Sequence, residues 1–195
     1  MTLVIGLDQS LTNTGFVVLG GEGIVEQGVF SPDVTDITRL DAIYKFIKEL
    51  VKRHAPVDAL AIEGYSLGSK YGREAMGEVG GIAKLVAVQE LRVKRVKRFY
   101  VIQIHMAKKF ACGKGNAKKM EAAVSAVRKW SELDGIDNEH VIDAFIIAKI
   151  IYEKELSISK PVDQDKRILT AYEQKVLEDI TSLNGEGQRQ RGRKK

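Results

Sequence analysis

Three apolar runs, separated by turns too short to hold a helix, open the chain and leave little choice about what it builds first. Residues 3–7, 16–19 and 24–30 are rich in Val, Ile, Leu and Phe. Between them stand the small polar residues and glycines of hairpin turns, Ser10 to Gly15 and then Gly20, Gly21 and Gly23. Strands joined so tightly form an antiparallel meander. The first run ends in a single acid, Asp8. A carboxylate at the tip of a buried strand is costly unless a metal, a donor or a phosphate partner satisfies it.

Ser31, Pro32 and Asp33 break the sheet, and from 36 to 54 Ile37, Leu40, Ile43, Tyr44, Ile47, Leu50 and Val51 recur at helical spacing. Pro56 ends that helix, and residues 57–63 read as a strand closing on Glu63. A strand, a crossover helix and another strand predict parallel pairing with the first strand. Asp8 and Glu63 then fall at equivalent ends of neighbouring strands, the rim where α/β sites form. After a polar loop over 64–71, a helix is expected from about 73 to 91. It carries Gly77, Gly80 and Gly81, which cost roughly 1 kcal/mol each against alanine. They imply close approach, by a partner or by the protein's own sheet. A fifth strand is expected over 99–104, a short helix or loop over 106–113, and helices over 117–130, 138–155 and 165–180. Residues 182–195 read as a basic, glycine-containing disordered tail.

The chain has 195 residues, 44% of them hydrophobic, enough for one sizeable core and an appendage. We therefore expect a domain over 1–155 and a helical extension with a basic tail over 156–195. One cysteine, Cys112, excludes a disulfide framework or a cysteine zinc site within the chain. The absence of a long apolar run leads us to expect a cytoplasmic protein without a membrane partner. Net charge is +5, and the basic residues cluster: Arg92 to Arg98, Lys108 to Lys119, and Arg189 to Lys195. Clustered positive charge suits a polyanion such as nucleic acid, although any one cluster is more often solvated surface.

In the last strongly apolar helix His140 and Asp143 stand three apart and share a face. Asp137 lies one turn earlier, where it or Asn138 would serve as a helix N-cap. Asp143 has no such ordinary use. Val141, Ile142, Ala144, Phe145, Ile146 and Ile147 surround it, and an unpaired charge there would be expensive. Asp8, Glu63 and Asp143 are thus three acids embedded in apolar sequence on three elements. Together without a cation they would repel and shift one another's pKa values. Around Mg²⁺, or Mn²⁺, they would make a hard-oxygen site of the kind used in two-metal phosphoryl chemistry.

Gly6-Leu7-Asp8-Gln9-Ser10 with Thr14-Gly15-Phe16, then Ala61-Ile62-Glu63, the glycine helix segment from Gly77 to Ala83, and His140-Val141-Ile142-Asp143-Ala144 resemble the successive motifs of RuvC-type Holliday junction resolvases. The resemblance spans about residues 2–151. It implies a ribonuclease-H-like fold, a five-stranded mixed sheet with three antiparallel strands and then two parallel, flanked by helices. It implies a homodimer and metal-dependent hydrolysis of phosphodiesters in four-way or branched DNA, with two ions per site. Asp8, Glu63, His140 and Asp143 would be the ligands and catalytic residues, with Lys108 and Lys119, which flank Gly113-Lys114-Gly115, near the scissile phosphate. Tyr65, Lys70, Arg73, Lys109, Lys114 and Lys118 are the DNA-contact candidates, although Tyr65 is slightly offset from the bacterial pattern. His140 stands where many members carry aspartate, which tilts preference toward Mn²⁺ or gives the imidazole an acid–base role. The short loops and basic tail resemble phage-encoded members, placing such a chain in a bacterium or a phage-infected cell.

Two other readings compete. One is an actin-like ATP-binding domain, with Asp8, Gln9, Ser10, Thr12 and Thr14 as a phosphate-gripping hairpin; this chain is short for that architecture. The other is a non-catalytic branched-DNA-binding relative, against which the three embedded acids argue.

Overall fold

The structure, a computed structural model, describes residues 1–64, 73–159 and 169–183, with the side chains of Arg73 and Ala75 outside that description. Strands β1 (Val4–Asp8), β2 (Thr14–Gly20) and β3 (Gly23–Phe30) form the expected meander. Helix α1 (Thr38–His54) crosses over to β4 (Val57–Glu63), which pairs with β1 in parallel, Val4 opposite Ala59 through Leu7 opposite Ile62. Helix α2 (Arg73–Arg92) leads to β5 (Val96–Ile102), parallel to β4. The sheet order is β3-β2-β1-β4-β5, the mixed sheet expected.

Alternation along the strands sorts the core into two layers. Ile5, Leu7, Phe16, Val18, Leu60 and Ile62 face α1 and α2. Val4, Val17, Leu19, Ala59 and Ala61 face the opposite layer, where α3 (Ile104–Cys112), α4 (Lys119–Lys129), α5 (Glu139–Ser159) and α6 (Ala171–Asp179) pack. Helix α5 lies between the sheet and the other helices of its layer, which explains why it is apolar nearly all round. Val141, Phe145, Ile147, Ile150 and Ile151 are all buried, and each such side chain contributes about 1.5–3 kcal/mol.

Two glycines let α5 sit that close. A Cβ on Gly6 would lie 2.5 Å from the Ala144 carbonyl oxygen and 2.5 Å from the Ala148 nitrogen. A Cβ on Gly15 would overlap the His140 carbonyl outright. Both glycines face α5, and any side chain there would push the helix off the sheet.

Several boundaries differ from the sequence expectation; α5 runs four residues past its expected end, to Ser159, and two other elements differ for identifiable reasons. β5 starts at Val96 and ends at Ile102, with Ile104 already in α3. The strand's charged beginning hid it: Lys97 pairs with Asp58 at 2.6 Å, and Arg98 pairs with the buried Glu155, which also accepts from Tyr100 at 2.7 Å. Helix α6 begins at Ala171, because Thr170 caps it: its N–H and hydroxyl donate to Glu173 at 2.7 and 2.5 Å. Residues 165–168, where the longer helix was expected, lie outside the described residues, as does the tail beyond 183. Val176 and Leu177 of α6, with Ile180 just past its end, join the same core as Phe110, Trp130 and Phe145. Among the described residues, no helix is long and apolar enough to cross a membrane.

Candidate active site

Parity along the strands decides where the two strand-tip acids point. Gly6 and Ala61 are register partners on the α5 face, so Asp8 and Glu63, each two residues further on, project to that same face. Helix α5 supplies the rest. Asn138, rather than Asp137, caps it, its Oδ1 accepting from the His140 and Val141 N–H groups at 3.0 and 3.4 Å. His140 and Asp143 then face the strand tips. His140 Nδ1 lies 3.1 Å from Asp8 Oδ2.

Helices α3 and α4 close the site from above. Gly113, at φ 79°, ends α3 in the left-handed conformation, with its N–H bonded to the Lys109 carbonyl at 2.8 Å. That turn reverses the chain so that Lys108 on α3 and Lys119, the first residue of α4, reach one cavity. The cavity measures about 230 Å³ and is lined by Asp8, Glu63, Asp143, Lys108 and Lys119, with Ile104, Ala107, Ala122, Ile146 and Ile147 as apolar walls. Lys119 Nζ lies 3.0 Å from Asp143 Oδ2 and 3.2 Å from Glu139 Oε2.

The electrostatics are those of acids confined without enough counter-charge. Burial raises Asp8, and Asp143 adds to it, while His140 and Lys119 pull it back. Burial also raises Asp143 against the pull of Lys119. Glu63 is pushed up to about 8, first by burial and then by the charges of Asp8 and Asp143. Burial works against the Lys119 ammonium, yet Asp143 and Glu139 hold its pKa up at about 12.

Among the described residues, no three acid, histidine or cysteine side chains close around a single point as they stand. The donor set nevertheless fits hard divalent cations: three carboxylates line one cavity, and the His140 imidazole, which does not itself line it, stands 3.1 Å from the Asp8 carboxylate; the raised pKa of Glu63 reflects charge that a cation would relieve.

Residues outside the sequence expectation complete the site. Gln9, 1% exposed, accepts from the Glu63 N–H at 3.0 Å and donates to the Glu63 carbonyl at 2.7 Å. Glu139 shares Lys119 with Asp143, and Gly15 makes room for the His140 backbone. In the sequence Gln9 stood within the first resemblance motif, directly after the strand-tip acid, but without a role at Glu63. Of the DNA-contact candidates, Tyr65 and Lys70 lie outside the described residues, and Arg73 heads α2 with its side chain undescribed. Lys118 is exposed at the start of α4, Lys114 pairs with Glu121 at 3.1 Å, and Lys109 is half-buried on α3 and does not line the cavity. The cluster from Arg92 to Arg98 lies at the opposite rim, before and along the start of β5. Three of its charges are tied to carboxylates: Arg95 to Glu90, Lys97 to Asp58 and Arg98 to Glu155.

The β1–β2 turn consumes its own polar groups. The Ser10 hydroxyl accepts from the Asn13 N–H and donates to the Asn13 carbonyl, both at 2.8 Å, and the buried Thr14 hydroxyl donates to the Ser10 carbonyl at 3.0 Å. A phosphate-gripping hairpin would leave such groups open.

No protein-family model matches the chain, and no curated protein matches its sequence. Solved structures do match its fold. Thermus thermophilus RuvC in complex with a Holliday junction substrate is 20% identical, with a TM-score of 0.63 over 80% of this chain and 97% of RuvC. A second structure of Thermus thermophilus RuvC gives 21% identity and a TM-score of 0.61 over 80% of this chain and 96% of that one. The yeast mitochondrial Holliday junction resolvase Ydc2 is 10% identical, with a TM-score of 0.54 over 80% of this chain and 81% of the resolvase. The chain has the ribonuclease-H-like fold of RuvC.

Proposed function

We propose that this protein is a metal-dependent endonuclease that cuts four-way or related branched DNA, in recombination, repair or phage genome processing. One observation carries the reading: Asp8, Glu63 and Asp143, from β1, β4 and α5, line one cavity with Lys108 and Lys119. The fold shared with RuvC and Ydc2 supports it.

Asp8, Glu63 and Asp143, with His140, would hold Mg²⁺ or Mn²⁺, two ions per site. When bound, divalent ions supply Lewis-acid chemistry for hydrolysis, activating a water and stabilising the leaving oxygen. The protein's part is positional. Lys108 and Lys119 bring ammonium groups to a phosphate at the cavity, and His140 steadies Asp8 through its Nδ1 contact. The apolar wall of Ile104, Ile146 and Ile147 limits water around the acids, which strengthens every charge interaction there. Lys114 and Lys118, between α3 and α4, would contact the flanking backbone, with Tyr65, Lys70, Arg73 and Lys109 as further contacts. Cleavage of four-way, three-way, forked and linear DNA with Mg²⁺ and with Mn²⁺ tests this. Asp8→Asn should abolish nicking while folding and junction binding persist; continued cleavage by that variant would sink the assignment.

We also propose a homodimer, through the outer face of α2. Gly80 is buried. Among the described residues, nothing lies within 4 Å of where a Gly81 Cβ would stand, and Leu85 and Val88 on the same face are 49% and 44% exposed. Leu85→Glu should convert a dimer to a monomer in sedimentation equilibrium with the secondary structure unchanged.

A further inference from the structure

We infer that Gln9 is a positioning residue that sets the spacing between the Asp8 and Glu63 carboxylates. This rests on the reading of those acids as the metal-binding pair. The backbone pairing of β1 with β4 runs to Leu7 opposite Ile62, and past Asp8 the chain leaves the sheet for the hairpin turn. Glu63 would therefore have an unpaired backbone beside β1 at the position where its side chain must be held still. Gln9 fills that gap. Its amide oxygen accepts from the Glu63 N–H at 3.0 Å, and its amide nitrogen donates to the Glu63 carbonyl at 2.7 Å. A side-chain amide has the donor–acceptor pair of a peptide group, so Gln9 adds one more rung to the parallel ladder after the main chain has turned away.

The other side of the β4 tip is fixed too. The Gly64 N–H bonds the Ile102 carbonyl at 2.7 Å, and the Gln103 amide lies so close over Gly64 that a Cβ would come within 2.7 Å of it. Glu63 is thus clamped between β1 and β5 through its backbone, while its carboxylate stays free to face the cavity. At 1% exposure, with its amide oxygen and nitrogen both bonded to the Glu63 backbone, Gln9 is turned away from solvent and has no part in contacting DNA. Its effect must pass through Glu63. Groups that orient metal ligands typically change metal affinity or activity by roughly 10- to 100-fold when removed.

The test compares Gln9→Met, which keeps length and volume but loses both bonds, with Gln89→Met. Gln89 accepts the Tyr44 hydroxyl bond at 2.7 Å between α1 and α2, and it lies outside the cavity's lining. Calorimetric titration with Mn²⁺ in the absence of DNA, and kcat, KM and junction affinity on four-way DNA, are measured for both. We expect Gln9→Met to weaken Mn²⁺ binding by about tenfold or more and to lower kcat with KM and junction affinity nearly unchanged. Gln89→Met should alter thermal stability alone. Should Gln9→Met not fold, Gln9→Asn keeps a neutral amide but is one methylene too short to hold both bonds to the Glu63 backbone, and the same comparison applies. If the wild type binds Mn²⁺ and cuts junctions while the Gln9 variant behaves like Gln89→Met, the role of Gln9 is overturned alone. A wild type that neither binds Mn²⁺ nor cuts DNA overturns the nuclease reading and the role of Gln9 with it.

Discussion

Glu63 is the residue whose ionisation reports most directly on the site. Its pKa stands at about 8, against 4.5 for an ordinary glutamate, through burial and the charges of Asp8 and Asp143. Between those values the folded protein keeps a proton that the unfolded chain has released, so ionising Glu63 works against folding as pH rises through this window. The metal-free protein should lose stability from about pH 5 to pH 8 on this account. Glu63→Gln, which cannot ionise, should remove that slope and raise the melting temperature at pH 9 by roughly 5 °C, while abolishing cleavage. Binding a cation must displace the same proton, so Mn²⁺ affinity of the wild type should rise by up to about tenfold per pH unit below pH 8. Calorimetry in buffers of different ionisation enthalpy would count that proton. An unaltered pH–stability profile in Glu63→Gln would show that the site does not repel its own charge.

The elements matter because α5 must lie close enough to the sheet for His140 and Asp143 to reach Asp8. Gly15, register partner of Asp8 in the β1–β2 pair, sits under the His140 backbone. Gly15→Ala should therefore cost about 1–3 kcal/mol in denaturant unfolding and eliminate nicking even where the variant folds, because α5 moves as one piece. Gly81→Ala makes the opposite case. Its Cβ would meet none of the described residues on an exposed helical face, so the monomer should gain roughly 1 kcal/mol from helix propensity. The strand-tip acids were legible in the sequence because period-2 alternation carries Asp8 and Glu63 to one face whatever the loops do. The Lys108–Lys119 pairing came from the resemblance alone, and the structure supplies its physical reason in the left-handed Gly113 that ends α3. Gln9 and Glu139 were not legible. Glutamine after an acid reads as an ordinary polar turn residue, and Glu139 as a helix-start acid, until the third dimension brings them to Glu63 and Lys119. The start of β5 escaped for a related reason, since Lys97 and Arg98 look like loop until Asp58 and Glu155 pair with them.

At the scale of the whole molecule, charge is sorted between the two ends of the parallel strands. At the N-terminal rim, Arg95, Lys97 and Arg98 are held by carboxylates, so that cluster offers a polyanion less than its sequence suggests. At the other rim, Lys108 lines the cavity and Lys118 is exposed beside it. The five basic residues Arg189, Arg191, Arg193, Lys194 and Lys195 account for the entire net charge of +5, so the rest of the chain is formally neutral. On the proposed function, long-range attraction to DNA would fall mainly to the tail, and catalysis to the cavity, and the two should separate experimentally. Each phosphate neutralised contributes about −0.9 to the slope of log affinity against log salt for duplex DNA. Deleting residues 188–195 should lower junction affinity at 50 mM salt and flatten that slope by up to about 4, with affinities converging as salt rises. Mn²⁺ binding and the cleavage rate of saturating substrate should not change, because Asp8, Glu63, His140 and Asp143 are all held by other elements. Unchanged affinity at low salt would show that the tail does not contact DNA. A parallel loss of Mn²⁺ binding would instead tie the tail to the site itself.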